Sequence, residues 1–175
     1  MGLDMFKPEF LVERAYGVSI QGLIANGIRA VFVDLDNTLI TWDTPNGTPE
    51  MREWLLALKE AQIDVVVISN NSKERVSQAV AHFGIDYEAR ANKPFTFGIN
   101  RALKRLHLAP CDVIMIGDQL MTDIHAANRA GLHSVLVKPL VETDAWVTKF
   151  NRFREKLKFK RLMKQYGPMT YQKEL

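Results

Sequence analysis

The sequence predicts a three-layer α/β fold with a central parallel sheet and helices on both faces. Two observations carry this. Short apolar runs rich in Val and Ile occupy residues 30–33, 63–68, 113–116 and 134–137, without the polar alternation of a strand that faces water on one side. Longer amphipathic segments separate these runs, and strand–helix alternation of that kind builds parallel sheets. The 175 residues suit one core.

The elements follow in order. Residues 10–24 are expected to add a helix or two packed outside the sheet. Residues 49–61 carry Trp54, Leu55 and Leu58 at helical spacing. A helix over 72–83 is announced by a cap at Asn71 or Ser72 and closed by Gly84. A weaker strand is expected near 85–88. Pro94 suits the first turn of a helix over 94–106, and a last core helix over 120–130 ends at Gly131.

Apolar residues make up 47% of the chain and charged residues 25%, the composition of a soluble globular protein. No apolar run approaches the roughly 20 residues that span a bilayer. The opening MGLDMFKPEF lacks the apolar centre of a signal peptide, so a cytoplasmic protein is expected. Cys111 precedes an apolar run and is expected to be a buried, inert thiol. The net charge of +3 is unevenly placed. From residue 149 to the end, nine basic residues face two acids, giving +7 and leaving −4 for the rest. Residues 1–142 are therefore expected to form the core with an N-terminal helical extension, and 143–175 a basic helical tail with its own role.

Four acids sit at the ends of two expected strands. Asp34 and Asp36 follow the 30–33 run in VFVDLDNTLI, two apart and so on one side of an extended chain. Asp118 and Asp123 follow the 113–116 run in VIMIGDQLMTD. Ligands of doubly wound sheets bind beyond the carboxyl ends of the strands, where the strand order reverses. If the two strands are neighbours there, all four acids converge. Two carboxylates about 6 Å apart repel by about 3 kcal/mol at an effective dielectric near 20, so the cluster calls for a hard cation or shifted pKa values. Oxygen-only ligands favour Mg²⁺ over Zn²⁺. Ser69 and Asn70, in VVVISNNS before a helix, provide a hydroxyl and backbone N–H groups for an anion. Lys93, in ARANKPFT, can neutralise a phosphate. Taken singly, each of these three residues reads as an ordinary cap or loop residue.

In this order, DLDNT, ISNNS, NKP and GDQLMTD resemble the four motifs of the haloacid dehalogenase (HAD) phosphatase superfamily. The likeness covers residues 31–137. FKPEF, DLDNTL and GDQLMTDIHAANRAG further resemble its small bacterial subfamily IIIA phosphatases of the YqeG type, which are related to phosphatidylglycerophosphate phosphatases. The resemblance implies a Rossmann-like fold and a role for each matching residue. Asp34 would be the nucleophile, and Asp36 the general acid and then the base. Thr38 would fix the loop. Ser69 and the Asn70 backbone would hold the phosphoryl oxygens, and Lys93 would offset charge. Mg²⁺ would lie on Asp34, the backbone carbonyl of Asp36 and Asp118, supported by Asp123. A carboxylate nucleophile splits one hard displacement into two easier ones. An acid–base group at Asp36 argues for a hydrolase over a phosphate-receiving signalling domain, and the intact set argues against a scaffold without turnover.

The gaps between the motifs hold only the core's own elements, so a capless, open site is expected. Such a site encloses small metabolites poorly and suits a phosphate displayed on something large: a phospholipid such as phosphatidylglycerophosphate, or a protein. Nucleotides and sugar phosphates stay as alternatives. Phe150, Phe153 and Leu157 recur at helical spacing among the basic tail residues. That pattern fits either a helix lying on an anionic membrane or a helix docked on the core with a solvated basic face. Nucleic acid is a weaker third reading because no recognised module accompanies the charge. Oligomeric state is left open, and self-association could supply a lid. His125 is expected on a helix surface, with a place in the site as the alternative; Trp42 either flanks the entrance or packs.

Overall fold

The computed structural model describes residues 2–41, 43–141 and 146–174, excepting the side chains of 146–152. Six strands form one all-parallel sheet: β1 (Phe10–Val12), β2 (Ala30–Val33), β3 (Asp64–Ile68), β4 (Asp86–Glu88), β5 (Val113–Gly117) and β6 (His133–Val137). Their spatial order is β1-β6-β5-β2-β3-β4. The chain runs outward from β2 through β3 to β4, then returns to the other side of β2 for β5 and β6. The strand order therefore reverses between β2 and β5, where Ala30 pairs with Val113 and Val33 with Ile116.

Side chains alternate across the sheet because successive Cβ atoms point to opposite faces. Val31, Val33, Ile114 and Ile116 face one core cluster. That side is covered by α1 (Ile20–Ala25), α2 (Pro49–Glu60) and α3 (Lys73–Val80), through Leu23, Trp54, Leu58 and Val76. Phe32, Val113 and Met115 face the other cluster. Here α4 (Phe97–Leu106) and α5 (His125–Ala130) supply Ile99, Ala102, Ala126 and Ala127. Local chemistry sets the helix starts. Thr48 accepts from Met51 N ahead of α2, and Ser72 accepts from Arg75 N ahead of α3. Helix α2 and its flanking loop fill the gap between β2 and β3, and among the described residues no cap domain covers the sheet end.

Three expectations need correction. The segment from residue 10 opens as β1, paired in parallel with β6, before it turns helical at α1. Three residues are too few for a period to announce a strand, and only the edge of β6 makes them one. Pro94 does not start a helix: it follows a cis Lys93–Pro94 bond, and α4 begins at Phe97. Cys111 is exposed, because it lies in the 3₁₀ turn Pro110–Asp112 that precedes β5.

The C-terminal helix α6 (Trp146–Tyr166) docks on the core. Leu162 is fully buried with Phe6, Leu120, Ile124 and Leu136. Beyond it the chain rejoins the sheet edge, where Gln172 N donates to Leu11 O at 2.8 Å and Glu13 N to Gln172 O at 2.9 Å. The docked arrangement is therefore observed for the described residues. The boundary expected between 142 and 143, Trp42, and the side chains of Lys149, Phe150 and Arg152 lie outside them. Among the described residues no helix is long and apolar enough to cross a membrane. Leu162→Ala is expected to lower unfolding free energy by about 2–5 kcal/mol, read by urea denaturation; a loss within about 0.5 kcal/mol, the size of a surface substitution, would mean the helix is not held there.

Candidate active site

Asp34 is the first residue past β2. Its N–H still donates to Ile116 O at 2.9 Å, extending the β2–β5 ladder into the site. Asp118 follows Gly117 at the end of β5, and Asp123 lies one wide π-helical turn later (Leu120–Ile124). Asp123 folds back against the strand end, where Oδ2 accepts from Gln119 N at 3.1 Å. A Cβ on Gly117 would lie 2.4 Å from Asp123 Cγ, so only glycine leaves room for this return. Carboxylate oxygens of Asp34, Asp118 and Asp123 all lie within 4.8 Å of one another.

Lys93 reaches this cluster from the loop after β4. Its Nζ donates to Asp34 Oδ1 at 2.5 Å and to Asp123 Oδ1 at 2.6 Å, with only 2% of the side chain exposed. The side chain of Asn70 fixes the lysine backbone from both sides: Lys93 N donates to Asn70 Oδ1 at 2.7 Å and Asn70 Nδ2 to Lys93 O at 3.0 Å. Ser69 is buried at the end of β3, its Oγ accepting from Asn71 N at 3.2 Å. Thr38 Oγ1 donates to Asp118 Oδ1 at 3.3 Å, tying the loop after β2 to the loop after β5.

The electrostatics follow from burial. Loss of water lifts the Asp34 carboxyl to about 7, against the pull of Lys93 and with added repulsion from Asp123. Burial, then Asp123 and Asp34, raise Asp118 well above the carboxylate range. For Lys93, burial opposes the charge, but Asp123 and Asp34 outweigh it and hold the pKa above its ordinary value. With all three carboxylates ionised, the set and its one ammonium would carry a charge of −2. A divalent cation on these oxygens would cancel it, and the all-oxygen donor set fits a hard metal ion.

Asp36 does not join the cluster. Its Oδ1 accepts from Arg75 Nη2 at 2.8 Å and its Oδ2 from Asn71 Nδ2. The expectation that all four carboxylates converge is corrected on this point. Period-2 geometry holds only within a strand, and β2 has ended: Asn37 takes φ +64°, a left-handed conformation asparagine tolerates, and the loop turns Asp36 toward α3. His125 is buried, not on a surface, with its ring 4.5 Å from that of Phe6. Burial, helped by Arg129, lowers its pKa.

Sequence reasoning missed three contributors. Arg75 stands third in α3, where a cation opposes the helix dipole; that mismatch was a signal for an anionic partner. Asn71 carried no signal beyond capping. Glu155 is the sole acid of α6. Its carboxylate accepts from Leu120 N at 2.8 Å and Met121 N at 2.9 Å, holding the turn between Asp118 and Asp123. Burial raises its pKa.

A parallel α/β fold with an acid cluster at the switch between β2 and β5 defines a class of phosphate-handling enzymes, and comparison with known proteins gives the family. A family model described as HAD-hydrolase-like matches residues 90–160. The chain is 38% identical over 147 residues to "Probable phosphatase YqeG" of Bacillus subtilis (strain 168), covering 84% of this chain and 86% of that protein. It is 30% identical over 106 residues to the ribulose-1,5-bisphosphate 5-phosphatase of Halopiger xanaduensis (strain DSM 18323 / JCM 14033 / SH-6), covering 55% of this chain and 44% of that enzyme. Among solved structures, NagD from E. coli K-12 has a TM-score of 0.55 at 15% identity, over 66% of this chain and 90% of that one. The 3-deoxy-D-manno-octulosonate 8-phosphate phosphatase of Moraxella catarrhalis has a TM-score of 0.51 at 22% identity, over 67% and 73%. These two likenesses show the fold. The chain belongs to the HAD superfamily of phosphatases, in its YqeG-like group.

The raised Asp34 pKa has a consequence for stability. The folded carboxyl holds its proton up to about 7, the unfolded one to its ordinary 3.8. Between those values the folded state binds more protons, so stability is lost as pH rises through the window. In metal-free buffer, Asp34→Asn should flatten that fall between pH 4 and 7, read as wild-type-minus-variant melting temperatures. A difference independent of pH would contradict it.

Proposed function

We propose that this chain hydrolyses phosphomonoesters with Mg²⁺ through an aspartyl phosphate on Asp34. One observation carries the reading: a buried Lys93 bridges Asp34 and Asp123 beside Asp118, gathering carboxylate oxygens around one ammonium at the sheet's switch point. Asp34, Asp118 and Asp123 would hold the metal, with the backbone carbonyl of Asp36. Bound there, the ion supplies charge neutralisation for the phosphoryl oxygens.

The chain's own residues do the rest. An Asp34 oxygen attacks phosphorus as the bond to the leaving oxygen breaks. Asp36 delivers a proton to that oxygen, a kind of assistance typically worth ~10²–10⁴-fold. Water then attacks the phosphorus of the aspartyl phosphate, Asp36 takes its proton, and the bond to Asp34 breaks, releasing phosphate. Ser69 and the Asn70 N–H hold the phosphoryl oxygens, while Lys93 keeps Asp34 in place and offsets charge. The M. catarrhalis phosphatase of this fold is described in complex with magnesium and phosphate ions, which agrees with this reading. Hydrolysis of p-nitrophenyl phosphate should need Mg²⁺, stop in EDTA, and fall by at least about 10³-fold in Asp34→Asn; equal rates in all samples would remove the mechanism.

The substrate is read as a phosphate on a large or membrane-borne carrier, a phospholipid such as phosphatidylglycerophosphate. The capless site supports this, as does the outer face of α6. Phe153 and Leu157 are exposed there among Arg154, Lys156, Lys160, Arg161 and Lys164, while Glu155 turns inward to the 120–121 backbone. A solvent face with cations, apolar anchors and no acid suits an anionic bilayer in peripheral contact. The full-length chain should co-sediment with phosphatidylglycerol vesicles, and Lys156→Glu/Lys160→Glu/Lys164→Glu should lose most of that binding at unchanged melting temperature. Binding unaffected by the triple change, or equal on neutral vesicles, would send the assignment back to soluble substrates.

A further inference from the structure

Asp36 stands outside the carboxylate cluster it is proposed to serve. One of its oxygens accepts from Arg75 Nη2 at 2.8 Å, the other from Asn71 Nδ2. To reach a leaving oxygen above Asp34, the carboxylate has to turn out of this clasp, which opens the Arg75 Nη2 position to another acceptor.

The surroundings favour such an exchange. Arg75 and Asp36 are each a little over one-fifth exposed, so water and a ligand reach the pair. The pair is partly buried, so an arriving anion that takes the place of Asp36 keeps the guanidinium paired as the carboxylate leaves. The guanidinium fork matches carboxylate and phosphate geometry. Placement is equally specific: Arg75 shares Asp36 with Asn71, whose N–H donates to Ser69 Oγ at 3.2 Å, so the arginine is two contacts from the expected phosphoryl-binding residues.

We propose that Arg75 is a specificity-determining residue: it selects phosphomonoesters that carry a second anionic group close to the scissile phosphate, and it takes that group in exchange for Asp36. The exchange makes and breaks no covalent bond; one ion pair replaces another, and the Asp36 carboxylate is released toward the leaving oxygen. A substrate with a single phosphate and no second anion leaves the clasp closed and turns over slowly. This rests on the role given to Asp36 above, and it narrows the substrate to a class that includes phosphodiester-bearing headgroups and carboxylated phosphate esters alike.

The test is a ratio. With Mg²⁺, kcat/KM is measured for phenyl phosphate and for 3-carboxyphenyl phosphate, which differ by one remote carboxylate, using wild type, Arg75→Gln and Arg75→Lys. Wild type should favour the carboxylated ester by about tenfold, the value of one charge-assisted contact. Arg75→Gln should bring the ratio to near one, and Arg75→Lys should retain part of it. A role confined to holding the fold or Asp36 would slow both esters alike and leave the ratio where it was. That result, or a wild type without preference, overturns the proposal while the aspartyl-phosphate mechanism stands. No Mg²⁺-dependent hydrolysis of either ester by wild type would overturn both.

Discussion

Everything at the open end of this sheet depends on one ammonium group placed among buried carboxylates. Lys93 Nζ lies 2.5 Å from Asp34 and 2.6 Å from Asp123, away from water. Its pull works against burial, which still lifts the Asp34 carboxyl to about 7. A divalent ion on the same oxygens would add to that pull and favour the ionised form. A carboxylate held this way is oriented and ready to act as a nucleophile.

Much of the surrounding chain keeps that arrangement in register. Asn70 clasps the Lys93 backbone on both sides, so β3 decides where a residue from the loop after β4 can reach. Gly98 lets α4 come so close to Ala91 that an added Cβ would sit 2.6 Å from the alanine Cβ, keeping the 91–93 loop tight to the sheet. Gly117 leaves the space into which Asp123 folds. Glu155 bonds the backbone at 120 and 121. Through it, the basic C-terminal helix becomes part of the support of the acid loop. The same helix thus faces two ways, Glu155 toward the site and Arg154, Lys156, Lys160, Arg161 and Lys164 toward solvent.

The parallel architecture and the family were legible in the sequence for separate reasons. Strands buried on both faces leave continuous Val/Ile runs, and Ala30–Val33, Asp64–Ile68 and Val113–Gly117 are such runs. The segments DLDNT, ISNNS, NKP and GDQLMTD pointed to the family through their resemblance, in this order, to its four motifs. What went unread depended on partners distant in the chain. β1 is a strand because β6 offers an edge. His125 is buried because Phe6 lies against it. Cys111 stays in water because a turn ends before its strand begins. The direction of Asp36 is set by Arg75, thirty-nine residues on.

The sequence by itself determined which chemical groups stand at the strand ends, since local pattern fixes strands and strand ends fix where side chains emerge, and its motifs resembled those of the HAD phosphatases. Only the tertiary structure decided which of those groups meet. Two aspartates share one lysine with a third close beside them, while the fourth is held by an arginine. Contacts between residues thirty or more positions apart depend on how loops turn and helices dock, and no local pattern encodes those geometries.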